Sequence, residues 1–589
     1  MGDFEKRGVS VLRNHTIIFT LIFAFAIQGC GSSGGGGGGA GGDVSPANAP
    51  TNFTLSVTGP KSMLYQWDFV RMVDHFTLCE DTMGTSNYVD IEGATDILAQ
   101  SHSMYIPVHK TAWGTAQITV DSCSTNKVIR LKSDPVSLTQ PLSVAATGYF
   151  KASNTDVGDH FGHQVVLSAD GHTLAISANE ESSSATGVNG NQSLNNASEA
   201  GAVYIFVLSD NSWSQQAYIK ASNSEGGDHF GQSLAISADG NTLAVGADNE
   251  DSSATGIDGN QVLGDAPNSG AVYVFTRSGT TWSQEEYIKA SNTEADDRFG
   301  WSIALSSDGN TLAVGARYED SSDAGIGANQ TLNNASEAGA VYVFTRSGTT
   351  WSQEEYIKAS NTRPHANFGY SVALAADGNT LAVGSCYESS SATGIGGNQT
   401  LTDAYGSGAV YVFTRAGTVW SQQAYVKASN TEADDLFGWS LALNADGNTL
   451  VVGAVAEDSS ATGIDGNQSL NDAGTAGAAY VFIRSGTSWS QQAYIKASNA
   501  AANHRFAHAV SLNSDGNTLA IAARNESSSA TGVNGSQGSG ATDSGAAYVF
   551  TRLGTTWSQQ SYVKASNTGA SDAFGESITL SADGDTLAV

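Results

Sequence analysis

Residues 299–316 read FGWSIALSSDGNTLAVGA, and residues 437–454 repeat the text as FGWSLALNADGNTLVVGA. Each is two short apolar runs around an Asp-Gly-Asn turn. Glycine there supplies the positive φ of a tight hairpin, so the stretch predicts two antiparallel strands. Working outward, GAVYVFTR at 339–346, the turn SGTT at 347–350 and WSQEEYIKAS at 351–360 add a second hairpin, giving four strands per unit. The phenylalanine opening each unit recurs as Phe161, Phe230, Phe299, Phe368, Phe437, Phe506 and Phe574, spaced by 69 residues five times and then by 68. Trp213, Trp282, Trp351, Trp420, Trp489 and Trp557 keep the same interval, each opening a WSQ segment. Such a period marks a supersecondary unit that buries its apolar face only against its neighbours. Four strands in about seven units define an all-β fold, a seven-bladed β-propeller over residues 149–589 whose last repeat is incomplete.

FGWSIAL, LAVGA and GAVYVF resemble the FG-GAP repeat of integrin α-subunit propellers, and more closely its bacterial envelope version. The resemblance implies a cell-surface binding or adhesion scaffold. That family often carries a D-x-D-x-D-G calcium loop between its first two strands. Here the loop has shrunk to forms such as SADGNT, with one carboxylate at Asp170, Asp239, Asp308, Asp377, Asp446, Asp515 or Asp583. One carboxylate cannot supply the six to eight oxygens that calcium takes.

The N-terminal end names a compartment. Lys6, Arg7 and Arg13 precede TIIFTLIFAFAI, too short to span a bilayer but suited to a signal-peptide core over residues 1–29. Ile27, Gly29 and Cys30 resemble a bacterial lipobox, which implies lipidation of Cys30, a membrane anchor and an outer-membrane location with the chain facing periplasm or exterior. Residues 30–50 are glycine-rich and read as a flexible tether. Residues 51–142 hold about seven short alternating runs, which suggests a small β-sandwich with Met63, Trp67 and Trp113 in its core. This segment resembles a fibronectin type III domain. Cys79 and Cys123 both fall in it and could pair in an oxidising envelope. Cys386 reads as a buried small thiol replacing the alanine at the end of a VGA strand.

Charge excludes one partner class. The formal net charge is −31, and from residue 146 onward there are 17 basic and 45 acidic residues, which argues against nucleic acid. Strand parity puts the long loops between second and third strands on the same face as the acidic connections between units. Asp251, Asp258, Asp296, Asp297, Glu319, Asp320, Asp434, Asp435, Glu457, Asp458 and Asp465 crowd there. They read either as hard-oxygen ligands for calcium, the expected cofactor, or as a solvated acidic face. No serine–histidine–acid spacing, Cys-x-x-Cys pair or phosphate loop appears, so no catalytic residue is assigned. The residue before each FG varies from His160 and His229 to Arg298, Asn367, Leu436 and Arg505, which reads as solvent-facing. RSGTTWS is similar to the Asp-box of sialidase propellers, but arginine holds the aspartate's place. The lysines of the YIKAS strands, Lys151 to Lys564, read as guards of an outer edge. The resulting expectation is a non-enzymatic scaffold binding an extracellular protein or glycan. The alternative is a propeller enzyme acting on extracellular carbohydrate.

One closure problem remains in the sequence. GAVYVF-type strands number six against seven FG strands, and YFKAS at 149–153 precedes the first unit. This segment is expected to serve as the outer strand of the last blade, while the chain stops inside a second strand, as a fragment or an imperfectly closed ring.

Overall fold

Alternation along the FG and VYVF segments and the buried TLAV runs produce six four-stranded antiparallel sheets in a computed structural model, and a seventh four-stranded sheet holds Thr579–Leu580 and Leu587–Ala588. It describes residues 144–209 and 212–589 throughout, the strands with some flanking positions between 50 and 139, and Val9–Leu12. The chain forms two compact units, one made of the repeats and the other mostly of residues before 150.

In the third blade the strands are Phe299–Leu305, Thr311–Ala316, Ala340–Ser347 and Thr350–Ile357, in chain order across the sheet. Leu312 lies opposite Phe344 and Val314 opposite Tyr342, and Arg346 faces Trp351 across the outer hairpin. The second strand is buried at all six positions because neighbouring blades cover both its faces, so its sequence is continuously apolar where the first strand alternates. The core lies between blades. Val274 and Ile288 of the second blade cluster with Phe299, Leu312, Tyr342 and Trp351 of the third. Each such side chain contributes roughly 1.5–3 kcal/mol on burial, and the pattern recurs at the junctions between the complete blades.

The repeated glycines are explained at these junctions. Gly270 has φ +82°, and a Cβ there would stand 2.0 Å from the Phe299 carbonyl oxygen of the next blade. The phenylalanine backbone lies on this glycine, and its N–H donates to the Ser269 carbonyl at 3.0 Å. The serine following the motif ties the axis together: the Ser302 hydroxyl donates to the Gly369 carbonyl of the next blade at 2.8 Å.

Around the axis the turns between first and second strands form a closed circuit of backbone hydrogen bonds. Ala169 N–H donates to Ala238 O, Ala238 to Ser307, Ser307 to Ala376, Ala376 to Ala445, Ala445 to Ser514, Ser514 to Ala582, and Ala582 back to Ala169, at 2.9–3.1 Å. The circuit has seven members, six from complete blades and the seventh from the segment where Thr579–Leu580 pairs with Leu587–Ala588. Leu167, Leu305, Leu443 and their equivalents line a cavity of about 190 Å³ at this end of the axis. Phe150 packs edge-on against Phe206 and Trp213, at 5.2 and 5.6 Å between ring centroids. Ile219, Phe275 and Trp282 form the corresponding group one blade later. Phe150 therefore takes the place of an outer-strand residue preceding the first blade.

The N-terminal unit holds a sheet of Thr54–Gly59, Ser62–Gln66 and Ser101–Tyr105, and a second built on His75–Asp81 and Gln117–Cys123. Met63, Trp67, Phe76 and Leu78 are buried, and Trp67 meets Phe76 edge-on at 5.2 Å between the sheets. Trp113 and Cys30 lie outside the described residues. The register corrects the expected disulfide. Cys79 stands opposite Thr119 and Cys123 opposite His75, four positions apart along one ladder. At about 3.3 Å per residue that separation is about 13 Å, whereas a disulfide needs Cα atoms within about 7 Å.

Candidate functional site

The long loops of the acidic face are anchored by one buried glutamate in each blade. In the second blade Glu250 Oε2 accepts from Lys289 Nζ at 2.8 Å and from the Ser252 N–H at 3.1 Å. Its Oε1 accepts from the Tyr287 hydroxyl at 2.8 Å and from Asn223 Nδ2 at 2.9 Å. Asn223 belongs to the connection arriving from the previous blade, and its Oδ1 accepts from the Tyr273 hydroxyl at 2.6 Å. The network couples two blades and a loop, with every lone pair of the carboxylate engaged. Lys220–Glu181, Lys358–Glu319, Lys427–Glu388, Lys496–Glu457 and Lys564–Glu526 repeat the ion pair. These lysines are fully buried, which corrects the reading of them as edge guards. The strand pattern alone could not show that the 2–3 loop folds back over them. Burial pulls Lys289 below the usual ammonium range, opposed by Glu250.

Most of the candidate metal ligands belong to the same scaffolding. Glu319 and Glu457 are glutamates of the buried pairs. Asp251, Asp320 and Asp458 accept from the backbone N–H groups of Asn268, Glu337 and Thr475 at 2.7–2.8 Å, closing each loop. Asp297 and Asp435 accept from the amides of Glu294 and Glu432 at 3.0 Å and are buried. Burial pushes both carboxyls up to about 8, and neighbouring carboxylates, Glu319 and Glu457 foremost, add to it. Asp296 accepts from Asn268 Nδ2 at 2.8 Å, and Asp465 accepts from the Tyr494 N–H at 3.0 Å. Asp258 and Asp434 hold left-handed turns at φ 52° and 64°. Among the described residues no three His, Cys, Asp or Glu side chains are placed to share one metal ion.

On the opposite face the RSGTTWS segment is a clamp between blades. Arg346 Nη1 lies 2.9 Å from Glu285 Oε1 of the preceding outer strand, and Trp351 Nε1 donates to the same oxygen at 3.0 Å. Arg346 Nε also donates to Asn310 Oδ1 at 3.0 Å. The single aspartates of the short turns act as turn locks, with Asp239 Oδ1 accepting from the Asn241 N–H at 2.9 Å.

What differs between units gathers elsewhere, at the loop-face ends of the first two strands. The residue after each FG is His163, Gln232, Trp301, Tyr370, Trp439, His508 or Glu576, and all seven are half-buried. Those from Trp301 to Glu576 touch in sequence from blade to blade. Trp301 and Tyr370 have ring centroids 5.7 Å apart, Tyr370 and Trp439 4.8 Å, and Trp439 and His508 5.9 Å. His508 Nε2 lies 3.5 Å from Glu576 Oε1, and Arg524 pairs with the same carboxylate. His508 and Arg524 together hold Glu576 well below the usual carboxylate range against the effect of burial.

The residue following each second strand completes the rim. The Arg317 guanidinium carbon lies over Trp301, 3.3 Å from its centroid, and 4.2 Å from that of Tyr318. Arg298 Nη1 reaches Asp248 Oδ2 at 3.2 Å. Asp248 is buried and raised by burial, with Arg298, His229 and Arg317 opposing. His160 pairs with Glu180 at 2.7 Å. The residues before FG are therefore partners in this rim and not simply solvent-facing, and His160, His229, Arg298, Asn367, Leu436 and Arg505 all adopt positive φ. Cys386 is buried and free as expected, but its place is corrected: Ser385 takes the alanine position opposite Ala409, and Cys386 occupies the rim position equivalent to Arg317. The signal for this site was in the sequence, in the column after FG, where the units depart most from one another.

These features define a repeat propeller with a constant frame and one variable axial mouth. The FG-GAP repeat model matches residues 213–275, 282–344, 351–413, 420–482 and 489–550, more than half of the chain, and the protein belongs to the FG-GAP repeat family. Each match starts at a WSQ tryptophan and ends in the third strand of the next blade. No curated protein matches the sequence. Among solved structures, the periplasmic gluconolactonase of Pseudomonas aeruginosa is similar at 11% identity, covering 84% of this chain and 97% of that one with a TM-score of 0.40. The WD40 repeats of RRP9 are similar at 10% identity, covering 72% and 86%, with a TM-score of 0.38. An Fn3-like protein from Clostridium thermocellum matches 15% of this chain and 90% of its own length at 17% identity, with a TM-score of 0.13.

Proposed function

We propose that the protein is an envelope-anchored binding or adhesion scaffold that holds an extracellular protein or glycan at the loop face of its propeller. The single observation behind this reading is the convergence of the unit-specific side chains on the axial mouth, while the rest of each blade is spent on junctions. The N-terminal signal with Cys30, the glycine-rich tether and the fibronectin type III-like segment fit a protein held at a distance from an outer membrane. A calcium-dependent form of the proposal rests on the net negative charge of the repeat region alone, since the candidate carboxylates are already engaged within the loops. Titration calorimetry with calcium chloride at millimolar concentration should then show saturable heat; its absence removes calcium from the account. The wider proposal is tested by probing an array of glycans and matrix proteins with the purified full chain. Selective retention of one ligand class is expected. Uniform failure to bind, together with turnover of a polysaccharide substrate, would favour an enzyme instead.

A further inference from the structure

Resting on that reading, we infer that the axial mouth takes a single carboxylate-bearing sugar residue, of the hexuronic acid class, with its ring against the Trp301–Tyr370–Trp439 wall and its carboxylate on Arg317. Three observations combine. First, three large rings from consecutive blades are in contact, half-buried, and tilted by 52° and 43° to one another, so they form a continuous aromatic wall. Aromatic faces bury the C–H surface of a ring-shaped ligand well and leave its hydroxyls to polar neighbours. Second, Arg317 has no carboxylate within ion-pair distance among the described residues, although the chain has 57 acidic residues against 26 basic ones. The neighbouring rim charges are engaged: Arg298 with Asp248, Arg524 with Glu576 and His160 with Glu180. Third, the Arg317 guanidinium carbon sits 3.3 Å from the Trp301 ring centroid, and its Nε is buried without a hydrogen-bond partner. With Nε buried, a guanidinium fixed by the ring contact offers its two terminal nitrogens as a planar fork that matches a carboxylate with two parallel hydrogen bonds.

The charge around the mouth sets the number of acidic groups. The repeat region is strongly acidic, so a polyanionic chain would be repelled over most of the face, while one carboxylate at Arg317 meets the cation without an ion-pair partner. This selects a glycan with an isolated or terminal acidic sugar over a densely charged one. Binding should accordingly persist at moderate salt, because screening weakens the general repulsion along with the local attraction.

The test is a titration of the full chain with methyl β-D-glucuronide and with methyl β-D-glucoside, followed by tryptophan fluorescence and by saturation-transfer NMR. The expected result is saturable binding of the glucuronide, at least tenfold tighter than the glucoside. Arg317→Gln should lose that preference without changing the melting temperature, and Arg317→Lys should retain part of it. Trp439→Ala should weaken both sugars alike. Equal affinity for the two sugars, or a glucuronide preference unchanged in Arg317→Gln, would overturn the inference. Binding of an acidic peptide through Arg317 with neither sugar bound would overturn it in favour of a protein ligand, leaving the scaffold reading intact. Array binding that survives loss of the whole aromatic wall would instead count against the mouth.

Discussion

At the level of single residues, the six buried lysine–glutamate pairs are the part of the molecule where a small change should be most costly. Lys289 and Glu250 are buried, and the carboxylate already accepts from Tyr287, Asn223 and Ser252. Lys289→Met leaves that charge buried without its counter-ion and should destabilise the propeller by about 3–5 kcal/mol in chemical denaturation. Lys289→Met combined with Glu250→Gln should recover part of the loss; equal destabilisation by single and double variants would show that the pair is not coupled. Asp297 gives a pH signature. Its folded carboxyl lies near 8 and the unfolded value near 4, so its stabilising proton is fully present below about pH 4 and lost as pH rises through about 8. Asp297→Asn should match the parent at pH 4 and exceed it in stability at pH 9, measured as the denaturation midpoint. A variant weaker at both pH values would mean that the charged form is needed. These roles were hidden in the sequence because a lysine in an alternating strand looks the same whether a loop covers it or not.

At the level of elements, the hairpins were legible and the loops were not. Asp-Gly turns, the apolar run of the second strand and the tryptophan of the fourth each follow from local chemistry, and the structure places them as the period requires. The loop of about 22 residues carried no regular pattern, so its acidic residues could be read as ligands or as a solvated surface. Their use as amide acceptors, such as Asp320 with the Glu337 N–H, depends on contacts 17 residues apart. The junction glycine is a sharper matter. Gly339 has φ +82°, and a Cβ would stand 2.1 Å from the Phe368 carbonyl oxygen. Gly339→Ala should cost at least about 1–3 kcal/mol from overpacking, because both partners are backbone. Gly348→Ala, at a similar φ but with nothing within 4 Å, should cost only the conformational part. Equal melting temperatures for the two variants would refute the close contact between blades.

At the level of the whole molecule, the period set the ring and the departures from it set the mouth. Seven turns close a hydrogen-bonded circuit around the axis, and Phe150 fills an outer-strand place before the first blade. This much of the closure could be read from counting strands. The mouth was legible only as a variable column after FG; that Trp301, Tyr370 and Trp439 touch follows only once the blades are wound about one axis. Anchorage is tested at this scale: Cys30→Ala should move the protein from the detergent phase to the aqueous phase, and retention with membranes would end the lipobox proposal. The central claim, that recognition belongs to the mouth and the acidic loops serve the frame, is tested most directly by one binding comparison. The array ligand is titrated against the parent, a Trp301→Ala/Trp439→Ala variant, and an Asp251→Asn/Asp320→Asn/Asp458→Asn variant, whose asparagines keep the amide acceptors. The account predicts loss of binding in the first variant and parental affinity in the second. Parental affinity in the mouth variant with loss in the loop variant would contradict it.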